Sequence, residues 1–182
     1  MIKAYKLNVY RCKLCGEAIL SIDKLPTCPF CGAHDDYIVE AKDWKDENDI
    51  KNLSEISKSN LEEALNLEMD NARFYRCSSS YSQDSKNQAT FKILSKVEAE
   101  HASAISRVLK RSKEDMGVQN ICFRLDRENI KNSIEREEKA KEFYTNAYNQ
   151  ADEPRVKEIF FGLIEIENDH IELLKRKEME GI

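Results

Sequence analysis

Residues that interrupt helices are scarce in this chain of 182 residues, which has only five glycines and three prolines. Average usage would place about 12% of a chain in these two types, so long helices are expected. No stretch approaches the ~18 uncharged apolar residues of a membrane span. The first ten residues also lack the apolar segment of a secretion signal. We therefore expect a cytoplasmic protein that does not bind a membrane.

A strong excess of charge is also absent, because the net charge is only −5. This balance gives no electrostatic reason to expect a nucleic-acid partner. The hydrophobic fraction of 41% is too high for a disordered chain of such low net charge.

Cysteines and helix breakers divide the chain into two parts. Four of the six cysteines lie within residues 12–31, and residues 33–116 contain neither glycine nor proline. This distribution predicts a small module over residues 1–42, a polar linker over 43–56 and a helical domain over 57–182.

The helical domain is predicted to be a bundle of four amphipathic helices, which makes the protein mainly α. The predicted helices cover about residues 57–80, 88–112, 127–150 and 154–177. Short links within the first and second pairs favour antiparallel hairpins. The longer link, about residues 113–126, is long enough to cross the length of the bundle.

An internal repeat relates the two hairpins. A shift of 69 residues places Glu68 on Glu137 and the pair Phe74-Tyr75 on Phe143-Tyr144. The same shift superposes two Glu-x-x-His motifs without a gap. The chain therefore resembles a duplicated hairpin with approximate two-fold symmetry.

Six polar residues lie where the apolar stripes predict a core: Glu68, Glu98, His101, Glu137, Glu167 and His170. Burying four carboxylates without compensation is costly, whereas two divalent cations would balance their charge. One Glu from each of two helices and Glu-x-x-His from the other two is the pattern of di-iron and di-manganese bundles. A solvated, charged helix face is the alternative for any single motif, but it does not account for the repeat.

The carboxylate-rich set favours iron or manganese, and zinc also fits the ligands but cannot change its oxidation state. Two ferrous ions here could together give two electrons to a peroxide. Either Glu98 with Glu167 or Glu68 with Glu137 is expected to include the bridging pair.

The N-terminal module carries two Cys-x-x-Cys pairs separated by twelve residues: Cys12, Cys15, Cys28 and Cys31. This spacing indicates a tetrahedral thiolate site, and Gly16 and Gly32 allow the chain to turn after each pair. A module this small needs the metal for its folding. Zinc and a single iron both fit, and disulfides are a weaker alternative in a reducing compartment.

The segments Tyr10–Gly16 and Cys28–Gly32 resemble the two metal-binding loops of rubredoxin. The helical half, with its two seam glutamates and two Glu-x-x-His motifs, is similar to the ferritin-like bundle of rubrerythrins. With the cysteine module at the N-terminus, the order resembles that of reverse rubrerythrins. The resemblance covers nearly all of the chain outside the linker.

The resemblance implies a peroxidase that defends the cell against oxidative stress. Electrons would pass from NAD(P)H through a separate reductase to the tetrathiolate iron, and then to the catalytic di-iron site, which reduces hydrogen peroxide to water. The six residues of the bundle would be the catalytic ligands. A homodimer or larger assembly is implied, because in that family the cysteine module of one subunit typically serves the di-iron site of another.

One position departs from the family pattern. Rubrerythrins usually carry an additional glutamate on the third helix, one turn after the first, whereas this chain has Ala140, and both Glu135 and Glu138 are predicted to lie off the seam. A more symmetric ligand set is therefore expected, and a redox-linked movement of iron is not.

Other residues are given structural roles. Cys77 and Cys122 are predicted to be unpaired thiols, and His34 a solvated loop residue. Trp44 is expected to anchor the linker. For Tyr75 and Tyr144, packing in the core and hydrogen bonding beside the metals both remain open.

Two alternatives to a peroxidase remain from the sequence. A ferroxidase would use the same bundle with dioxygen as oxidant and iron as substrate. A non-enzymatic module would hold zinc in the four cysteines and a structural metal in the bundle.

Overall fold

A computed structural model describes residues 4–111 and 122–180. Four long helices dominate it and confirm the predicted mainly α fold: α1 (Glu55–Tyr81), α2 (Ser85–Val108), α3 (Asp126–Gln150) and α4 (Pro154–Met179). Most of the predicted link over residues 113–126 lies outside the described residues. Within the described part, no helix combines the length and the apolar character needed to span a membrane.

Local capping explains where the helices begin. The Ser54 hydroxyl accepts a hydrogen bond of 3.3 Å from the Ser57 N–H, and the Asp84 carboxylate accepts one of 2.8 Å from the Asn87 N–H. Each cap satisfies an N–H of the first turn that has no partner within the helix. Because of the Asp84 cap, α2 begins three residues earlier than predicted, while α4 begins at Pro154 as expected.

The two hairpins, α1–α2 and α3–α4, repeat each other in three dimensions. Phe74 and Tyr75 meet edge to face with ring centroids 5.5 Å apart, and Phe143 and Tyr144 do so at 5.6 Å. Each tyrosine also stacks on a phenylalanine of the other helix in its hairpin, at 6.2 Å in the first and 6.0 Å in the second. The predicted repeat is therefore present in the packing of the core.

The N-terminal module contains a three-stranded antiparallel sheet in the order β2-β1-β3, formed by β1 (Asn8–Cys12), β2 (Ala18–Ser21) and β3 (Ile38–Glu40). A 3-10 turn at Asp35–Tyr37 precedes β3. Gly16 and Gly32 follow the two cysteine pairs with φ of +74° and +79°, a conformation that favours glycine. The two glycines therefore make the predicted turns.

This module packs directly on α2 and α4. Gly162 of α4 leaves room for Leu14 and Tyr37, since a Cβ atom there would lie 3.1 Å and 3.2 Å from their side chains. Arg155 donates to the carbonyl oxygen of Lys13 at 2.8 Å, and Arg107 donates to that of Cys15. These contacts hold the module at one fixed place on the bundle.

One structural assignment made from the sequence is wrong. Cys77 and Cys122 form a disulfide between the last turns of α1 and the residues before α3, across a separation of 45 residues. Their isolated positions in the sequence give no sign of this pairing, which the bundle creates by bringing the two backbones together. His34 keeps 36% of its side chain exposed, in agreement with the prediction of a solvated residue, and its Nε2 atom also lies 2.7 Å from Oδ2 of Asp169 on α4.

Trp44 lies under the guanidinium group of Arg11, which is 3.7 Å from the ring centroid. This contact attaches the first residues of the linker to β1, and it supports the anchoring role expected for Trp44.

Candidate metal centres

The four N-terminal cysteines converge on one point. Their sulfur atoms all lie within 4.8 Å of one another, and the Cys12–Cys31 and Cys15–Cys28 separations are both 3.7 Å. A tetrahedral site with metal–sulfur bonds of about 2.3 Å requires sulfur–sulfur separations of about 3.8 Å. The cluster therefore has the size of a tetrathiolate metal site, which zinc and iron fit equally well.

The close approach of the four sulfur atoms shifts the pKa values of the thiols in opposite directions. Hydrogen bonds with Cys12 and its neighbours hold the pKa of Cys28 far below its ordinary value, and they raise the pKa of Cys15. A metal cation removes this competition, because every sulfur then binds as a thiolate.

All six predicted residues of the bundle meet in its centre and form two overlapping groups. The first group consists of Glu68, Glu98, His101 and Glu167, and the second consists of Glu98, Glu137, Glu167 and His170. Each group brings its ligand atoms within 4.8 Å of one another. Glu98 and Glu167 belong to both groups, so they are the geometrically favoured bridging pair.

The carboxylates carry unpaired oxygens that fit two cations. All four glutamates are completely buried, and each has one oxygen without a hydrogen-bond partner in the described structure: Glu68 Oε2, Glu98 Oε1, Glu137 Oε2 and Glu167 Oε1. Two of these oxygens lie 3.4 Å and 3.2 Å from the Nδ1 atoms of His101 and His170 but make no hydrogen bond to them. Atoms arranged in this way could share a cation between them, which would offset the cost of burying unpaired carboxylates.

The orientation of His101 supports the same conclusion. Its Nε2 atom lies 2.8 Å from the carbonyl oxygen of Cys31, which only accepts hydrogen bonds, so Nε2 carries the proton. In the neutral ring, the Nδ1 lone pair then faces the carboxylates of Glu68 and Glu98 at 3.4 Å and 3.0 Å. A metal ion bound here would satisfy both the lone pair and the carboxylates. The hydrogen bond from Nε2–H to the Cys31 carbonyl would hold the imidazole ring in the orientation needed for binding.

Without metal, protons take the place of the cations. Burial raises the pKa of Glu68 to about 8, despite the opposing effect of His101. Burial alone lowers the pKa of His101 and His170, but the surrounding carboxylates outweigh it and raise both. Burial and the neighbouring Glu167 also raise the pKa of Glu137. The metal-free cluster is therefore a strong binder of positive charge.

Two tyrosines orient the non-bridging glutamates across the bundle. The Tyr144 hydroxyl donates to Oε1 of Glu68 at 2.7 Å, and the Tyr75 hydroxyl donates to Oε1 of Glu137. Both tyrosines are fully buried in the core and also hydrogen-bond to glutamates of the cluster. The two roles that the sequence left open, core packing and hydrogen bonding beside the candidate metal centre, therefore both apply. The repeat predicts the matched positions, but only the packing reveals that each tyrosine reaches the opposite hairpin.

No further carboxylate joins the cluster from α3. Ala140 is buried, while Glu135 and Glu138 are exposed, and Glu138 forms an ion pair of 3.0 Å with Lys175. Within the described residues, the ligand set is therefore as symmetric as the sequence predicts.

One hydrogen bond joins the two candidate centres. His101 belongs to the bundle cluster, and the carbonyl that its Nε2–H contacts belongs to Cys31 of the tetrathiolate cluster. A route between the clusters thus consists of one side chain, one hydrogen bond and one cysteine of the same chain. Sequence reasoning missed this link, because nothing local in the sequence places Cys31 beside His101.

No protein-family model, curated protein or solved structure matches this chain. The case for its function therefore rests on the geometry of the two clusters and on the motifs that form them.

Proposed function

We propose that this chain is a non-haem iron peroxidase of the rubrerythrin type, which reduces hydrogen peroxide to water with electrons from its tetrathiolate site. The observation that carries the proposal is the hydrogen bond between His101 and Cys31, because it connects a candidate electron-transfer centre to a candidate dinuclear centre. A purely structural zinc module has no need of such a connection.

The proposal assigns one iron to the four cysteines and two to the six residues of the bundle. Iron bound in this way would supply the two electrons that cleave the peroxide O–O bond, and the tetrathiolate site would replace one of them. The balanced reaction consumes one hydrogen peroxide, two electrons and two protons and yields two molecules of water.

The chain's own residues would hold the metal ligands in position. The hydroxyls of Tyr75 and Tyr144 donate to Oε1 of Glu137 and Glu68, which leaves the second oxygen of each glutamate without a hydrogen-bond partner in the described structure. A metal ion would bind Glu68 in place of the proton that its raised pKa, about 8 in the metal-free protein, favours.

The resemblance also suggests the partners. An NAD(P)H-dependent reductase would donate electrons, and the chain would form a homodimer or larger assembly in the cytoplasm. In contrast to the subunit-to-subunit transfer implied by the family, the cysteine module here lies against the bundle of its own chain. We therefore propose transfer within one chain, whatever the state of assembly.

Anaerobic stopped-flow absorbance tests the proposal. The fully reduced, iron-loaded protein is mixed with a slight excess of hydrogen peroxide while the visible absorbance of a ferric tetrathiolate site is followed. We expect this absorbance to appear rapidly in the wild type and to be lost in Glu68→Ala, with Glu138→Ala on the outer face of α3 as the matched control. A tetrathiolate site that stays reduced, or one that retains zinc after iron loading, would contradict the proposal.

A ferroxidase is the second candidate, and the buried Ala140 favours it. Without a further glutamate on α3, the ligand set is symmetric, and the residue that the family resemblance links to a redox-dependent movement of iron is absent. Oxidation by dioxygen that turns over added ferrous iron, faster than peroxide oxidises the tetrathiolate site, would favour this candidate.

A further inference from the structure

A basic groove lies between the two helices of the first hairpin, and none of the residues that line it belongs to either metal cluster. Its cavity has a volume of about 590 Å³ and lies between the C-terminal half of α1 and the N-terminal half of α2. The side chains that line it include three cations and no carboxylate: Arg76, Ser79, Ser80, Gln88, Lys92, Ser95, Lys96 and Ala99. This volume is within the usual range of ligand sites, about 300–1,000 Å³.

The groove is built by the close approach of the two helices. The Ser95 hydroxyl donates to the Ala72 carbonyl at 2.9 Å, and the Ser79 hydroxyl donates to the Gln88 carbonyl at 3.1 Å. Both hydrogen bonds cross from one helix to the other. Small hydroxyl side chains therefore form the floor of the groove, and long cationic side chains form its walls.

The three cations have no acidic partners among residues 4–111 and 122–180. Arg76, Lys92 and Lys96 are exposed, and none of them makes an ion pair with a carboxylate of the described residues. The chain as a whole carries a net charge of −5, so this local excess of positive charge does not follow from its composition.

The repeat provides an internal comparison. A second groove, on α3 and α4, has a volume of about 390 Å³, and its lining mixes both signs of charge, with Glu138, Glu142 and Glu172 beside Lys141 and Lys175. Under the 69-residue shift it overlaps the first groove only where Thr145 matches Arg76 and Asn168 matches Ala99. At the equivalents of Lys92 and Lys96 the second hairpin has Phe161 and Glu165, so neither lysine of the positive groove is repeated there.

We propose that the groove on α1 and α2 binds the phosphate groups of a small phosphorylated molecule. Guanidinium and ammonium groups bind phosphate through charge-assisted hydrogen bonds. The volume of the groove exceeds that of a single phosphate ion and suits a molecule of nucleotide size. The alkyl stems of the lysines and the methyl group of Ala99 provide apolar contact for its organic part.

Isothermal titration calorimetry of the metal-loaded full chain with ADP and with pyrophosphate tests the proposal. We expect one molecule to bind per chain, with an affinity that falls as the salt concentration rises. The double variant Lys92→Ala, Lys96→Ala should weaken binding by roughly tenfold or more, because two charged partners are lost. The control Lys141→Ala, Lys175→Ala removes two lysines from the groove on α3 and α4 and should change the affinity by less than about twofold.

The two probes separate the sources of phosphate. Tighter binding of ADP than of pyrophosphate would support an organic ligand, and equal binding would support recognition of the phosphate groups alone. Absence of binding by both probes, or equal weakening in the control variant, would overturn the proposal. Peroxidase activity is not part of the readout, so this test is independent of the proposed reaction.

Discussion

At the scale of single residues, the tyrosine–glutamate pairs determine how the candidate dinuclear site is held. Each buried hydroxyl crosses the bundle and fixes one oxygen of a glutamate, which leaves the other oxygen directed at the centre. Groups that orient metal ligands in this way commonly change metal affinity or activity by about 10- to 100-fold when removed.

Replacing Tyr144 with phenylalanine tests this role. The variant keeps the ring between Phe143 and Phe160 but loses the donor to Glu68. We expect the affinity for divalent metal, or the rate of peroxide reduction, to fall by about 10-fold or more. Tyr148→Phe, on the same helix but without a contact to the cluster, is the control for the loss of a hydroxyl.

A second prediction at this scale concerns pH. In the metal-free protein the pKa of Glu68 is raised to about 8 and that of His101 is raised as well. Their contribution to stability is therefore present below their ordinary pKa values and is lost as the pH rises through the raised values. The pKa of Glu98 is lowered, so its contribution to stability is lost as the pH falls, and this loss is confined to the acidic range.

Metal binding must displace the same protons, so it should tighten as the pH rises. We expect the melting temperature of the metal-free protein to fall between about pH 6 and pH 9, while the stabilisation by added zinc increases over that range. Thermal unfolding with and without zinc measures both trends. If the melting temperature depends on pH in the same way with and without zinc, the cluster does not exchange protons for metal.

At the scale of elements, the cysteine module docks where the two hairpins differ. Gly162 on α4 corresponds to Ile93 on α2, which is 50% exposed. The glycine lets Leu14 and Tyr37 approach the backbone of α4, and an isoleucine in its place would collide with them. One substitution in the second hairpin therefore decides on which side the module can lie.

The variant Gly162→Ile should displace the module and separate the two centres. Overpacking of this kind costs about 1–3 kcal/mol, which lowers the ratio of docked to undocked module by about 5- to 150-fold. We expect oxidation of the tetrathiolate iron by peroxide to slow accordingly, with the metal content of both sites unchanged. Ile93→Ala at the matched position should leave the rate unaltered, and equal slowing in both variants would refute the role of docking.

At the scale of the whole molecule, the sequence predicts the architecture well because the signals are periodic or duplicated. The four helices follow from apolar spacing, and the six cluster residues follow from two motifs repeated at the same offset. The cysteine cluster follows from local spacing alone. None of these inferences requires knowledge of which distant segments touch.

Long-range contacts explain what the sequence does not predict. The disulfide between Cys77 and Cys122, the Asp169 partner of His34 and the link from Cys31 to His101 all join segments far apart in the chain. Each depends on how the module and the hairpins pack, and no local pattern encodes that packing. The choice of Glu98 and Glu167 as the shared carboxylates likewise becomes visible only when both groups are assembled.

The central claim is that electrons pass from the tetrathiolate site to the dinuclear site of the same chain. The most direct test is the rate at which peroxide oxidises the tetrathiolate iron of the wild type, measured over a wide range of protein concentrations. Analytical ultracentrifugation identifies the concentrations at which the protein is monomeric, and the range includes them. We predict a rate constant that does not change with dilution, because His101 and Cys31 lie in one chain. A rate that falls in proportion to protein concentration, or vanishes in the monomer, would contradict the account.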